Sequence, residues 1–253
     1  MRHMTEELFR QDARLAMCSA QVLAITPQGI VLDRTVFYPL GGGQAGDTGM
    51  LLLEDGSEIA IADTRKEKDD TGAPTGRIVH MAAPGQETLL ARLQAGDVVA
   101  ARIDWERRHR MMRLHSATHL LCHLVPQLVN GCSITPDYAR MDFAMTDPLD
   151  KDVLTQGLAG LVAAAHPFAV ESISDEELDA KPQLVKSMSV QPPRGTGRIR
   201  TIRIGGMEGA ALIDLQPCGG THVGNTAEIG AIAVTKIEKK SATTRRVVLG
   251  FAE

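Results

Sequence analysis

The stretch DWERRHRMMRLHSATHLL, residues 104–121, is where the hydrophobic pattern of this chain changes period. Met111, Met112, Leu114, Leu120 and Leu121, continued by Leu124 and Val125, fall at helical spacing among Arg107, Arg108, Arg110 and Arg113, and Pro126 ends the run. Upstream, from about Leu15 to Arg102, the apolar runs are short and separated by turn formers: 22–25, 29–32, 50–53, 59–61, 77–80 and 97–100. That rhythm predicts a small antiparallel barrel over residues 1–103, with the charged, glycine-rich stretch Arg65 to Gly76 as a solvated loop. A second domain, 104–253, begins with the helix.

Further along, apolar residues at 154, 158, 161, 162 and 165 predict a helix with one buried face. Residues 168–173 look extended, a short helix starts at Ser174, and 198–204, 210–215, 229–235 and 245–249 look like strands. Helices laid on one antiparallel sheet are the economical arrangement, so the fold class expected is α+β. No internal repeat, low-complexity tract or membrane span is evident.

Composition narrows the function. With 253 residues, 43% hydrophobic and 23% charged, the chain is neither disordered nor fibrous. Its 27 Lys plus Arg against 31 Asp plus Glu exclude a basic field over the whole surface, so a polyanion must meet a local patch. Five Phe, two Tyr and one Trp are too few for a protein that stacks successive bases on rings. The four cysteines, at 18, 122, 132 and 218, do not make a disulfide framework, and the acidic start of the chain is unlike a secretory signal. A cytoplasmic location is expected.

His115 and His119 stand four apart on the helix, one turn from each other on one face. Alone, such a pair is more often two ordinary histidines on a partly exposed face. Ser116, where a zinc protease of this spacing carries Glu, disfavours that class. A second pair, Cys218 and His222, follows Pro217 in CGGTH, and its glycines allow a tight turn that aims both side chains at one point. Thiolate with imidazole is the donor set zinc prefers, and the two pairs together point to one shared zinc site. Cys122 and His123 compete as ligands, although Cys122 sits in a leucine-rich run that suits an inert thiol.

The glycine run FYPLGGGQAGDTG, 37–49, lacks the Lys-Ser/Thr and the following helix of a phosphate-binding loop. Gln44 is the residue of this run that could do more than turn the chain, because its amide both donates and accepts and could reach a bound polar substrate. Basic residues concentrate in three places: Lys181, Lys186, Arg194, Arg198, Arg200 and Arg203; Arg107, Arg108, Arg110 and Arg113; and Lys236, Lys239, Lys240, Arg245 and Arg246. These clusters suit phosphate steering, with solvated faces as the alternative.

FYPLGGGQAGDTG, DWERRHRMMRLHSATHLL, CGGTHV (218–223) and NTAEIGAIAVTKIE (225–238) together resemble the free-standing alanyl-tRNA editing proteins of the medium-length form, relatives of the editing domain of alanyl-tRNA synthetase. The resemblance covers nearly the whole chain. It implies an N-terminal glycine-rich antiparallel β-barrel followed by a two-layer α/β zinc-binding editing domain. It implies trans-editing: hydrolysis of the ester joining serine or glycine to alanine tRNA, with zinc on His115, His119, Cys218 and His222. Gln44, Ser116, Thr118 and Cys218 are the expected catalytic or substrate-reading residues. Arg107, Arg108, Lys186, Arg194, Arg198, Lys239 and Lys240 are the expected tRNA contacts, and no obligate protein partner is evident. A pocket that demands the serine hydroxyl rejects alanine by roughly 10⁴-fold. Zinc either activates water and polarises the ester carbonyl or holds the α-amino group. The competing readings are a zinc-stabilised tRNA-binding module without chemistry and a hydrolase of small amino-acid esters. A synthetase fragment is weaker, because no ATP site is visible.

Overall fold

The structure, a computed structural model, describes residues 4–192, 197–206 and 211–252. It forms two compact units: residues up to Gly41 with Ala45–His109, and Gly42–Gln44 with Arg110 onward. None of the described helices is long and apolar enough to cross a membrane.

In the first unit β1 (Glu6–Glu7) pairs in parallel with β4 (Arg34–Thr35). The strands β2 (Met17–Thr26), β3 (Gly29–Leu32), β5 (Gly49–Leu52), β6 (Glu58–Lys68), β7 (Pro74–Ala82) and β8 (Val98–Ile103) close a six-stranded antiparallel barrel in the order β2-β3-β7-β6-β5-β8. Inward residues are aliphatic, among them Val22, Leu32, Leu51, Ile59, Val99 and Ala101, which closes the barrel around a packed core rather than a channel. A one-turn helix, α1 (Glu87–Leu90), packs Leu89 and Leu90 against it. The solvated loop expected over 65–76 is shorter than the sequence suggested. β6 continues to Lys68 because Glu67, though acidic, is buried, accepting the Thr75 hydroxyl at 2.6 Å and facing Arg77 at 3.6 Å.

Arg108 is fully buried in this unit. Its guanidinium is paired with the equally buried Asp47 and donates to the carbonyls of Ala13 (2.9 Å) and Val36 (2.7 Å), while Asp47 also accepts the Tyr38 amide at 2.7 Å. Arg108 therefore corrects the sequence reading. It is an internal brace with no face left for a phosphate.

The helix α2 (Trp105–Leu124) belongs to the second unit from Arg110 onward, and its residues Met111 to Cys122 are buried apart from Arg113. A helix buried on every side must carry its polar groups in satisfied networks. The second unit contains two sheets, where one had been expected. The first, of order β14-β15-β10-β9, comprises β9 (Val129–Ile134), β10 (Tyr138–Ala144), β14 (Ile232–Ser241) and β15 (Thr244–Phe251). The second, of order β11-β12-β13, comprises β11 (Phe168–Ile173), β12 (Ile199–Gly205) and β13 (Leu212–Pro217). β9 and β10 had no counterpart in the sequence reading. The predicted helices form as α3 (Lys151–Ala163), whose buried face is Leu154 and Leu158, and α4 (Asp175–Asp179). Asp150 caps the first by accepting the amides of Asp152 and Val153. Ser174 and Glu177 form a reciprocal capping box on the second.

Candidate metal centre

Three imidazoles and one thiol converge inside the second unit. The ligand atoms available on His115, His119, Cys218 and His222 all lie within 4.8 Å of one another. Helix α2 supplies the first pair. The other two come from the turn after β13, where Gly220 lies flat on the His115 ring; a Cβ there would overlap the imidazole. Cys218 Sγ is 3.5 Å from His115 Nε2 and 3.3 Å from His222 Nε2.

Each imidazole has its Nδ1 side occupied. His115 Nδ1 donates to Gln44 Oε1 at 2.8 Å, His119 Nδ1 donates to Asp214 Oδ2 at 2.7 Å, and His222 Nδ1 reaches Ser116 Oγ at 3.4 Å. With those nitrogens carrying the proton, the Nε2 lone pairs are left for the centre of the cluster. Holding the outer nitrogen in this way is how proteins set the tautomer of a metal-ligating histidine. Tetrahedral zinc with nitrogen and sulfur ligands needs ligand–ligand separations of about 3.3–3.8 Å, and the two sulfur–nitrogen distances match that span. The donor set, its protonation pattern and these two sulfur–nitrogen distances fit zinc.

The electrostatics agree. Burial opposes a thiolate at Cys218, yet the neighbouring His115 and His222 hold it well below the ordinary thiol range. Burial, followed by the charge of His115, pushes His222 down to about 3 and keeps its ring neutral. Burial also works against a charged His119, but the bond to Asp214 and the contact with Cys218 outweigh it and hold the group at about 9. A cation bound here displaces that proton.

The structure assigns several candidates a different task. Gln44 is fully buried: Oε1 accepts His115 Nδ1 and the Thr221 amide (3.1 Å), and Nε2 donates to Thr221 Oγ1 at 2.9 Å. It orients a ligand and keeps one amide N–H beyond these bonds. The glycine run makes this possible. Gly43 has φ +86°, a Cβ on it would press on the Cys132 carbonyl, and its own carbonyl accepts Ile134 N–H at 2.7 Å. Ser116 is taken by His222 and by the Val223 amide, at 3.2 Å. Thr118 turns its hydroxyl proton back to the His115 carbonyl at 2.6 Å, which leaves its oxygen as an acceptor, and Ser116, accepting from both neighbours, keeps its own O–H. Cys122 is buried with its thiol pushed up to about 12 by burial, and His123 is tied to the Ile213 carbonyl at 2.9 Å.

Of the basic candidates, Lys239, Lys240 and Arg198 are exposed, and Arg107 is half-buried. Arg198 reaches the Ser172 hydroxyl at 2.7 Å. Lys186 is paired with Asp214 at 2.5 Å. Arg194 lies outside the described residues. Sequence reasoning missed Asp214, Thr221 and Phe168, whose ring stacks on His222 at 5.8 Å. One signal for Asp214 was present: a lone acid within the apolar run ALIDL, four residues before Cys218.

Comparisons with known proteins fall on the same segments. Residues 199–248 match the family described as "Threonyl and Alanyl tRNA synthetase second additional domain", and residues 8–107 match "tRNA synthetases class II (A)". An alanine–tRNA ligase of Saccharolobus islandicus is 31% identical over 250 residues, covering 93% of this chain but 25% of the ligase. Much of the ligase thus has no counterpart here. The alanyl-tRNA editing protein AlaX-M of Methanosarcina acetivorans is 32% identical over 253 residues, covering 96% of this chain and 98% of that protein. That of Saccharolobus solfataricus is 33% identical over 255 residues, with the same coverage. The chain belongs to the alanyl-tRNA editing protein AlaX-M family.

Proposed function

We propose that this chain is a zinc-dependent trans-editing hydrolase that deacylates mischarged alanine tRNA, cleaving seryl and also glycyl esters. The observation that carries the reading is the convergence of three Nε2 atoms and one thiol, each imidazole held from behind by its own partner. In this reading His115, His119, Cys218 and His222 hold the ion. Bound there, zinc supplies a Lewis acid for the ester carbonyl or a fixed charge beside the α-amino group.

The chain's own groups do the rest. Gln44, Asp214 and Ser116 keep the three rings in register, and Gly220 keeps the turn pressed on His115. The thiolate of Cys218 adds negative charge that favours a cationic ligand. Burial around the four groups limits bulk water, which strengthens each interaction within. Arg107, Arg194, Arg198, Lys239 and Lys240 are the proposed phosphate contacts. Residues 104–253 form the editing domain in this proposal, with the barrel of 1–103 as its companion; Gly42–Gln44 pack with the editing side.

The test is deacylation of seryl-, glycyl- and alanyl-tRNA(Ala) by metal-replete and chelated protein at several salt concentrations. The expected result is loss of the first two esters only with metal, survival of the third, and a steep decline with salt from counterion release. Metal-independent hydrolysis, or equal hydrolysis of all three, overturns the reading. Indifference to the RNA part and to salt favours a hydrolase of small amino-acid esters instead.

A further inference from the structure

Behind His119 runs a chain of charge that the reaction as described does not use. Lys186 Nζ lies 2.5 Å from Asp214 Oδ1, and the other oxygen of that carboxylate accepts His119 Nδ1–H at 2.7 Å. Asp214 is 2% exposed, so protein groups alone answer its charge. Gln216 Nε2 donates to the same Oδ2 at 2.7 Å, which leaves Lys186 as the donor on Oδ1.

Lys186 is not a loose surface lysine. It follows the turn Pro182–Leu184, and the backbone from its own carbonyl onward is pinned to β9: Val129 N–H donates to the Lys186 carbonyl at 2.8 Å, and Met188 N–H donates to the Val129 carbonyl at 2.9 Å. Its side chain keeps 25% exposure, yet its ammonium is committed to a buried carboxylate at a charge-assisted distance. A phosphate would have to take it from that partner.

We propose that Lys186 is a positioning residue of the hydrolytic site. Through Asp214 it fixes the ring of His119 with Nε2 turned toward Cys218 and the other two imidazoles. The inference rests on the reading of the four groups as a zinc site. The geometry explains why a lysine is required. Gln216 Nε2 also lies 3.1 Å from His119 Nδ1, but it is a donor and cannot accept the N–H that a ligating tautomer presents there. Asp214 alone accepts it. Without Lys186 one oxygen of Asp214 is left buried with no donor, and the carboxylate is free to turn away from the ring.

The experiment uses the full chain with Lys186→Met, Lys186→Arg and Asp214→Asn. Zinc affinity is measured without RNA by competition with a chromogenic chelator. Deacylation of seryl-tRNA(Ala) is measured at saturating zinc, with kcat and KM separated. Lys186→Met is expected to weaken zinc binding roughly 10-fold and to lower kcat with KM unchanged, within the range for losing an outer partner of a metal ligand. Asp214→Asn should do the same or more, and Lys186→Arg should restore both readouts. Should Lys186→Met not fold, Lys186→Gln, which keeps a donor without the charge, carries the comparison. Unchanged zinc affinity with a raised KM overturns the proposal and makes Lys186 an RNA contact. If the wild type deacylates nothing at any zinc content, the editing reading fails while the affinity series still decides the role of Lys186.

Discussion

Two buried polar clusters, one in each unit, use their atoms in opposite ways. Around Arg108 every contact closes inward on protein: the guanidinium meets Asp47 and two carbonyls, and Asp47 takes the Tyr38 amide as well. Around His115, His119 and His222 the outer nitrogens are held by partners outside the cluster. The inner nitrogens and the Cys218 thiol face one another at distances such as 3.3 and 3.5 Å. The first arrangement is complete without a ligand. The second has its bonding capacity left on the inside, where an ion fits, and burial alone does not distinguish the two.

If that contrast is correct, removing one member of each cluster damages different properties. His222→Ala should lower zinc affinity and deacylation by more than ~100-fold, beyond the loss expected for an outer partner. Chelator competition and single-turnover deacylation measure it, and retention of both activities would break the comparison. Asp47→Ala should instead unfold the protein, because it strands the Arg108 charge in the interior, at a cost of about 3–5 kcal/mol. Urea titration checks the stability, and zinc affinity of the remaining folded fraction should be normal.

His80 sharpens the point, since it is a buried histidine with both nitrogens spent. Nδ1 donates to the Ile30 carbonyl at 3.0 Å, and Nε2 accepts from the Thr35 hydroxyl at 2.8 Å. Burial pulls it from 6.5 down to about 4, and the bond to Ile30 only partly opposes this. The unfolded chain therefore binds the extra proton between those values, so stability is present above 6.5 and is lost as pH falls toward about 4. The full loss is roughly 3 kcal/mol. Urea unfolding across that window should show the slope, and His80→Gln should flatten it. A wild-type slope near zero would show that the ring is not held neutral.

The barrel was legible because its strands are short apolar runs between turn formers. β9 and β10 were not, although Ala139, Met141 and Phe143 alternate inward with Arg140 and Asp142 between them. The charges at Arg140 and Asp142 disguised the period. The charged end of β6 failed for the same reason. At the site, the spaced pairs His115/His119 and Cys218/His222 were visible because local geometry places each pair on one side. Their partners were not, since Gln44 lies 71 positions from His115 and Asp214 lies 95 from His119, and no local pattern encodes such distances. For Ser116, Gln44 and Thr118 the residue type was read correctly as polar and useful. Their protein partners were not legible, because a hydroxyl or amide is equally able to serve a substrate or a neighbouring side chain.

The smallest effect expected belongs to Gly220. Nothing about it is chemical. It is a glycine because its missing Cβ would occupy the space of the His115 ring and stand 2.8 Å from Gln44 Oε1. Gly220→Ala must push the imidazole or the turn aside, an overpacking cost of about 1–3 kcal/mol. The ring cannot retreat without lengthening its bond to Gln44, so the damage should pass from the backbone to the ligand. Zinc affinity should fall by roughly 10-fold, as for other losses behind a ligating histidine, with the unfolding midpoint lowered in parallel. Gly56→Ala supplies the control: Gly56 has a positive φ of 83° but open space around it, so its strain is backbone strain alone. A loss of stability in both variants with a loss of zinc affinity only in Gly220→Ala is the pattern required. Equal zinc affinity in the two would mean that the His115 ring is free to move, and that Gln44 does not hold it.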